Sequence, residues 1–411
     1  MPRSISTYIV SIVANLNNGK SIDISDAVIS IKITQSVVYD APVVEIYMFA
    51  KYIELLIDSL QTIDLTIDSY IRSSNMKHRV IYNLTPCDLN SLKVSLDTKN
   101  VTGYLESYQL RLSLYFWITP CYNAAITNTV SKSYFNTTIQ QILNEITDTS
   151  VVEKIEYNIL NTTPIEQVLL KQIPYISQLD QLDFYFGLTP NVCPRVINPS
   201  FTDKTKCVVN ILDTKEAVEK NAYTATIHIV SDQTMSDALS QEYKDPSHYL
   251  SLGHYKVENN QQNTFSNNYL TVTKPSNTLY QLNSYGPTEL ATYYKNVDIS
   301  LNSLKTVYND FHPIVITSET GNTNSDSWAK SIFGEFLLFS SRLHVGIYEP
   351  ATIQNLQPGH VVNVDISVTK DIPYSGLYMV ESVIQTFAIS SSADWKNTTT
   401  VTLVRTNTQW S

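Results

Sequence analysis

From Val362 to Thr369 apolar and polar residues alternate without a break, with Val362, Val364, Ile366 and Val368 set against Asn363, Asp365, Ser367 and Thr369. A period of two puts the four aliphatic side chains on one face of an extended backbone, which the 3.6-residue period of a helix cannot do. The segment has to be a half-buried strand. Ahead of it stands Leu356-Gln357-Pro358-Gly359-His360, where Pro358 fixes φ at about −65° and Gly359 admits positive φ, the two requirements of a type II turn. Turn residues from Asp371 to Gly376 precede a second β-rich run, Leu377 to Ile389, and a polar loop from Ser390 to Asn397 leads into Thr398 to Thr406. The unit is predicted to be a three-stranded antiparallel meander.

The same period runs through the first part of the chain. Ile29, Ile31 and Ile33 alternate with Ser30, Lys32 and Thr34, and after Asp40-Ala41-Pro42 the pattern resumes at Val44, Ile46 and Met48. Ile63, Leu65 and Ile67 face Asp64, Thr66 and Asp68, while Leu92, Val94 and Leu96 face Lys93, Ser95 and Asp97. The longest run is Tyr104 to Leu114, with Glu106 the one breach in its apolar face. Lys51 to Leu60 fits a short helix or a strand. Residues 1–118 therefore read as a β barrel or sandwich.

After Pro120 the period changes. Ile139, Ile142, Leu143 and Ile146 recur at helical spacing behind Asn136 as a cap. Thr163-Pro164-Ile165-Glu166 has the form of a capping box with Pro at the first helical position, which predicts a second helix through Val168 and Leu169, kinked at Pro174 and continuing to Leu182. Phe184-Tyr185-Phe186 reads as a strand. Residues 119–190 are thus a helical or mixed middle domain. From 191 to 325 turns and polar clusters dominate, broken by Cys207 to Leu212 and by the strand-like Tyr223 to Val230, and the Tyr- and Asn-rich stretch from Ser247 to Tyr285 reads as a long hairpin or surface loop. From 326 to 411 a helical stripe of Trp328, Ile332, Phe333, Phe336 and Leu337 leads through Leu343, Val345 and Ile347 into the meander. The expected class is α+β and mainly β, with two β-barrel or sandwich-like domains, a helical middle domain and a polar insertion.

Composition narrows the function. Only 10 Gly are present in 411 residues and no phosphate-cradling glycine pattern occurs, which argues against nucleotide enzymes. A formal charge of −10 without a basic stripe argues against gripping nucleic acid. Cys87, Cys121, Cys193 and Cys207 form no Cys-x-x-Cys pair, so free thiols in a cytosolic compartment are expected, and no apolar run is long enough to span a bilayer or serve as a cleaved signal.

Catalytic constellations are missing as well. The seven histidines show no zinc-helix spacing, and no Gly-x-Ser-x-Gly elbow is present. His248 and His254 could share a metal if a carboxylate joined them, but solvated surface histidines are the simpler reading. Asp64, Asp68, Asp97 and Asp365 lie on polar strand faces and read as solvated; Tyr104 and Tyr108 read as core, and the Tyr-rich region from 243 to 294 suits a protein interface. No catalytic, cofactor-binding or metal-binding residue is expected.

The Leu356-x-Pro358-Gly359 turn, the Ser375-Gly376-Leu377-Tyr378-Met379-Val380 strand and the terminal Thr400-Val401-Thr402-Leu403-Val404-Arg405 strand, preceded by a helix and a strand, together resemble the C-terminal part of contractile-tail bacteriophage baseplate central hub proteins. These are related to the hub part of type VI secretion valine-glycine repeat spike proteins. The resemblance extends over most of the chain and is weakest from about 191 to 325. It implies a non-enzymatic virion component, assembled in the host cytoplasm, in which three copies form a ring. The two similar β domains of each copy would then make a pseudo-sixfold tube joining a sixfold tail tube to a threefold central spike. The implied partners are the tail tube protein, the spike and other baseplate proteins, with DNA passing through the lumen without specific binding. The alternatives from other classes are a β-rich receptor-binding or adhesion protein and a glycan-active enzyme with a cleft carboxylate pair.

Overall fold

In the computed structural model the described residues are 6–37, 41–52, 55–56, 59–71, 77–87, 93–95, 111–127, 131–157, 164–186, 195–211, 222–230, 247–252, 255–259, 268–273, 283–284, 312–317, 341–366, 374–390, 392 and 394–405. The period-two segments become strands, and eight strands close into a ring. Eight strands form the first barrel: β1 (Ser6–Leu16), β3 (Val28–Ser36), β4 (Val43–Phe49), β5 (Leu60–Ile71), β6 (Lys77–Pro86), β8 (Arg111–Ile118), β22 (Gly376–Ile389) and β23 (Trp395–Arg405). Their order is β22-β3-β4-β8-β6-β5-β1-β23, and pairing of β23 with β22 closes the ring, so no edge remains. Short strands β2 (Ser21–Asp23) and β7 (Lys93–Ser95) lie beside β1 and β8. The interior is apolar: Ile12, Ile31, Ile46, Met48, Leu65 and Phe116 are all at most 1% exposed.

The second barrel is smaller, uses the same hairpin and, among the described residues, is not closed by strand pairing. Beside β22 lie β21 (Val361–Ile366), β14 (Ala225–Ile229) and β15 (His248–Ser251); beside β23 lie β20 (Ser341–Tyr348) and β16 (Tyr255–Asn259). Ile227, Leu343, Val345, Val364, Tyr378 and Val401 fill it. Here β14 pairs with β21 and β15 in parallel, whereas the ring pairs of the first barrel are antiparallel.

The long hairpin serves both rings by dividing its length. Gly376 to Met379 of β22 pair with β21, and Ser382 to Ala388 pair with β3. Between them the β22–β23 register shifts across Val380 and Ser382, which leaves Glu381 as the extra residue of a β-bulge. A bulge bends its strand, and this one sits where the hairpin passes from one barrel to the other. Glu381 is 7% exposed, and its carboxylate accepts from Arg342 Nε at 3.0 Å and Nη2 at 2.8 Å.

The middle region packs on the first barrel, its buried Tyr134, Ile142 and Leu179 belonging to the same core cluster. Its helices are Thr119–Ile126, Ile139–Ile146 and Tyr175–Phe186; its sheets are β9 (Lys132–Thr137) with β11 (Ile165–Leu170), and β10 (Val152–Tyr157), β13 (Cys207–Ile211) and β12 (Arg195–Pro199) in that spatial order. A separate sheet has the order β18 (Asn283–Ser284), β17 (Asn268–Thr273) and β19 (His312–Thr317).

Three local expectations are corrected. The segment after Pro164 is strand β11, not a helix: Val168 and Leu170 are buried and Leu169 is exposed, an alternation realised by pairing with β9. A tertiary partner overrode the local cap signal, and the helix begins only at Tyr175, after Pro174. Phe184-Tyr185-Phe186 forms its last turn and is no strand. The cap of the Ile139 helix is Thr138, with Gln141 completing the capping box, while Asn136 sits at φ +48° two residues earlier. The strands of 195–211 and 225–259, read within a polar insertion, join the middle sheet and the second barrel. Tyr104, Tyr108, Glu106 and the 328–337 stripe lie outside the described residues.

Candidate functional site

The Pro-Gly turn is built as expected and does more than reverse the chain. Gly359 has φ +87° and His360 N–H donates to Gln357 O at 3.1 Å, the closing bond of a type II turn. The turn then docks on the β10–β13–β12 sheet. Gln357 Nε2 donates to Pro199 O at 3.2 Å, and Asn198 Nδ2 donates to Pro358 O at 3.2 Å. His360 Nε2 lies 3.3 Å from Asn210 Nδ2 and 3.8 Å from a Glu156 carboxylate oxygen. A neutral ring accepts from Asn210, and a protonated one turns its N–H toward Glu156. This contact, followed by that of Lys154, holds the Glu156 carboxyl at about 2 despite partial burial.

Beside this joint is a polar cleft of about 200 Å³, lined by Glu153, Glu156, Ser200, Thr202 and His360 among others. Ser200 and Thr202 hydroxyls donate to Glu153, and Ser200 Oγ in turn accepts from the Thr202 and Asp203 backbone N–H groups, each at 3.1 Å. The serine is thus committed to shaping a turn, and its acidic partner is no imidazole base. The arrangement can fasten the second barrel to the middle sheet.

The structure brings His248 to His228 and Asp365, whereas His254 lies outside the described residues. His228 Nε2 is 2.9 Å from His248 Nδ1 and His228 Nδ1 is 3.2 Å from Asp365 Oδ2, with the two imidazoles stacked at 5.2 Å. All three residues are carried by the adjacent strands β15, β14 and β21 and share the outer face of the second barrel. Burial pushes the His228 pKa below its ordinary 6.5 and His248 adds to the effect, while Asp365 opposes it. Among the described residues no group of three or more His, Cys, Asp or Glu is arranged to hold a metal ion.

Asp68 departs from the solvated reading. It is 6% exposed under Arg79, whose Nε and Nη2 donate at 2.7 and 2.8 Å, and Lys77 lies at 3.1 Å; Arg79 first, then Lys77, lowers its pKa. Asp64 accepts from Asn83 and Lys204, Asp365 is exposed beside His228, and Asp97 is outside the described residues. Cys87, Cys121 and Cys207 are free thiols raised by burial, Cys87 to about 11 and Cys207 to about 12, so they are poor nucleophiles at neutral pH.

The outer surface also presents apolar side chains that composition alone could not locate. Phe135 is 65% exposed beside Leu169 on the β9–β11 ribbon, and Ile9 is 52% exposed on β1. On β4 and β8, Tyr47, Phe49, Tyr115 and Trp117 face outward, opposite the buried Ile46, Met48, Leu114 and Phe116. Among the described residues no helix is long and apolar enough to cross a membrane.

No protein-family model matches the sequence, and no curated protein matches it. Solved structures do share its architecture. The tail protein from Neisseria meningitidis MC58 superposes with a TM-score of 0.53 at 10% identity, over 97% of this chain and 97% of that one. The 43 kDa tail protein of prophage MuSo2 from Shewanella oneidensis gives 0.51 at 11% identity, over 97% and 99%. A chain of the PdpA-VgrG complex in its lidless form gives 0.51 at 12% identity, over 97% of this chain and 65% of that one. The chain therefore has the mainly β fold of these tail proteins, in line with the hub-family resemblance of its C-terminal motif.

Proposed function

We propose that this protein is a structural component of a phage tail, the central hub of a contractile-tail baseplate, acting without catalysis. Three copies form a ring that adapts the sixfold tail tube to the threefold spike. The observation that carries this reading is the pair of barrels sharing one hairpin through the Glu381 bulge. A chain with two barrels on one hairpin supplies six barrel units from three copies, which is what a threefold-to-sixfold adapter needs. The likeness to two tail proteins over nearly their whole length supports the tail assignment, and the likeness to a chain of the PdpA-VgrG complex supports a spike-associated partner.

In this reading residues 1–118 supply most of the first tube domain, 119–190 the middle domain and 326–411 most of the second tube domain, with 191–325 lending β14 to β16. The tail tube protein binds one rim of the ring and the spike the other. The net charge of −10 suits a lumen that lets DNA pass without holding it. Light scattering after size exclusion tests the ring: the expected mass is three times 46.5 kDa, about 140 kDa. A monomer at every concentration, both alone and mixed with tail tube protein, would overturn it.

A further inference from the structure

We infer that the first barrel binds an ordered water molecule at its seam, and that this water ties β1 and β23 to the segment leading into the second barrel. The ring of strands is unevenly paired. β1 runs along β5 from Ser6 to Leu16 and β22 runs along β23 from Met379 to Ile389, whereas β1 and β23 pair only at Tyr8 and Trp395. From Thr398 onward β23 pairs with β20 instead. The chain that follows β20 is fastened at this seam by side chains: Tyr8 Oη donates to Pro350 O at 3.0 Å, and Ser69 Oγ donates to Ala351 O at 2.6 Å.

Among these groups lies a cavity of about 20 Å³, lined by Tyr8, Ser69, Gln385 and Asn397 of the barrel, by Pro350 to Ile353, and by Phe201 from the connection between β12 and β13. The first barrel, the middle sheet and the lead into the second barrel all meet at it. Ser69 is 2% exposed and Asn397 7%, so the space is internal. A water needs about 10–15 Å³ of such space and about two to four polar partners. The volume suits a single molecule.

Asn397 supplies the first partner. Its Oδ1 accepts from Thr399 Oγ1 at 3.1 Å, while its Nδ2 is buried without a hydrogen-bond partner in the protein. Turning the amide over exchanges the two atoms and still leaves one unpaired, which is costly in a buried site. Ser69 supplies the second. Its hydroxyl hydrogen goes to Ala351 O, so its lone pairs can accept from a water, and Tyr8 Oη has given its hydrogen to Pro350 O in the same way. A purely apolar cavity would stay dry, but the unpaired amide makes this one wet. A water that accepts from Asn397 and donates to the two hydroxyl oxygens satisfies the amide and bridges β23 to β1 and β5, across the seam where backbone pairing is sparse.

A high-resolution crystal structure of the full wild-type chain is the direct test. Density for a water within hydrogen-bond distance of both the Asn397 amide and Ser69 Oγ is expected. In solution, magnetic relaxation dispersion of water oxygen counts long-lived internal waters. Asn397→Leu keeps the size of the side chain and removes its polar atoms, so the folded variant should lack one of the waters counted in the wild type. Loss of the bridge should also speed hydrogen exchange at the Tyr8 and Trp395 amides on the order of tenfold, the equivalent of a net hydrogen bond, while β3 and β4 exchange as before. A dry cavity in the wild-type crystal overturns the inference. So does a cavity closed by a direct bond from Asn397 to Ser69 or Tyr8. Equal water counts in the wild type and folded Asn397→Leu overturn it as well.

Discussion

The two barrels share a hairpin yet are held together in different ways. The first closes with eight strands through antiparallel ring pairs around an interior of Ile, Leu, Met and Phe, and its charged groups, such as Asp68 with Arg79, stay on the outside. The second is completed by short parallel pairs of β14 with β21 and β15, and histidines sit at its margins: His228 and His248 across the parallel strands, His360 in the turn that docks on the middle sheet. Apolar burial is insensitive to pH, whereas burial of the His228 imidazole disfavours its charged form. The core of the first barrel is thus indifferent to protonation, and the second carries an imidazole whose protonation opposes folding.

The comparison can be broken most forcefully in the first barrel. Phe116→Ala removes a fully buried ring and is expected to cost about 3–5 kcal/mol, read as a lower denaturation midpoint in urea. A loss under about 1 kcal/mol would show that this core is not the main store of stability. Next comes the bulge. Glu381→Ala removes the carboxylate that accepts from Arg342 at the point where the hairpin changes barrels, with an expected cost of about 2 kcal/mol. Because both barrels use this hairpin, hydrogen exchange should accelerate on both sides of residue 381; acceleration confined to the second barrel would show that the bulge does not couple them.

Acidification should separate the barrels. The folded-state pKa of His228 lies below its ordinary 6.5, so as pH falls through 6.5 the unfolded chain takes up a proton that the folded one resists. The stability it contributes is present above that pH and is lost as pH drops toward the lowered value. Amides of 225–229 should therefore exchange faster relative to those of β1 and β5 as pH falls from neutral through 6.5, and His228→Gln should remove the difference. Equal loss of protection in both barrels would contradict the contrast. The smallest effect is expected at Gln35, 1% exposed on β3, whose side-chain amide N and O are both buried without a hydrogen-bond partner. Gln35→Met should stabilise the chain by about 1 kcal/mol in thermal or urea unfolding, because an unpaired amide is replaced by an apolar chain of similar size.

Much of the fold was legible because alternation is a local property. Ile29 to Ile33, Ile63 to Ile67 and Val362 to Ile366 each alternate strongly, and each became the expected strand. The Pro358-Gly359 turn was legible for the same reason, since its backbone angles are set by the two residues themselves. Failures fell where a distant partner decided the outcome. Ile165 to Leu170 carry a helix-start signal, but β9 offered a strand to pair with, and Phe184 to Phe186 stayed helical because the preceding turns were already formed. Nothing in the sequence tied Asn198, Asn210 and Glu156 to a turn about 150 to 200 residues away, or His228 to Asp365.

The sequence by itself therefore determined which segments are extended, which face of each is dry, and that the usual catalytic, nucleotide and zinc-helix patterns are missing from the chain. Only the tertiary structure decided that eight of the strands close into a ring, that a second barrel-like unit is built on the same hairpin, and that residue 381 is where the hairpin passes from one to the other. The physical reason is that side-chain periodicity fixes the face a residue occupies but carries no information on which strand lies alongside. Closure, register shifts and the juxtaposition of polar groups arise from pairing across long separations, where the whole chain's packing decides between locally equivalent partners.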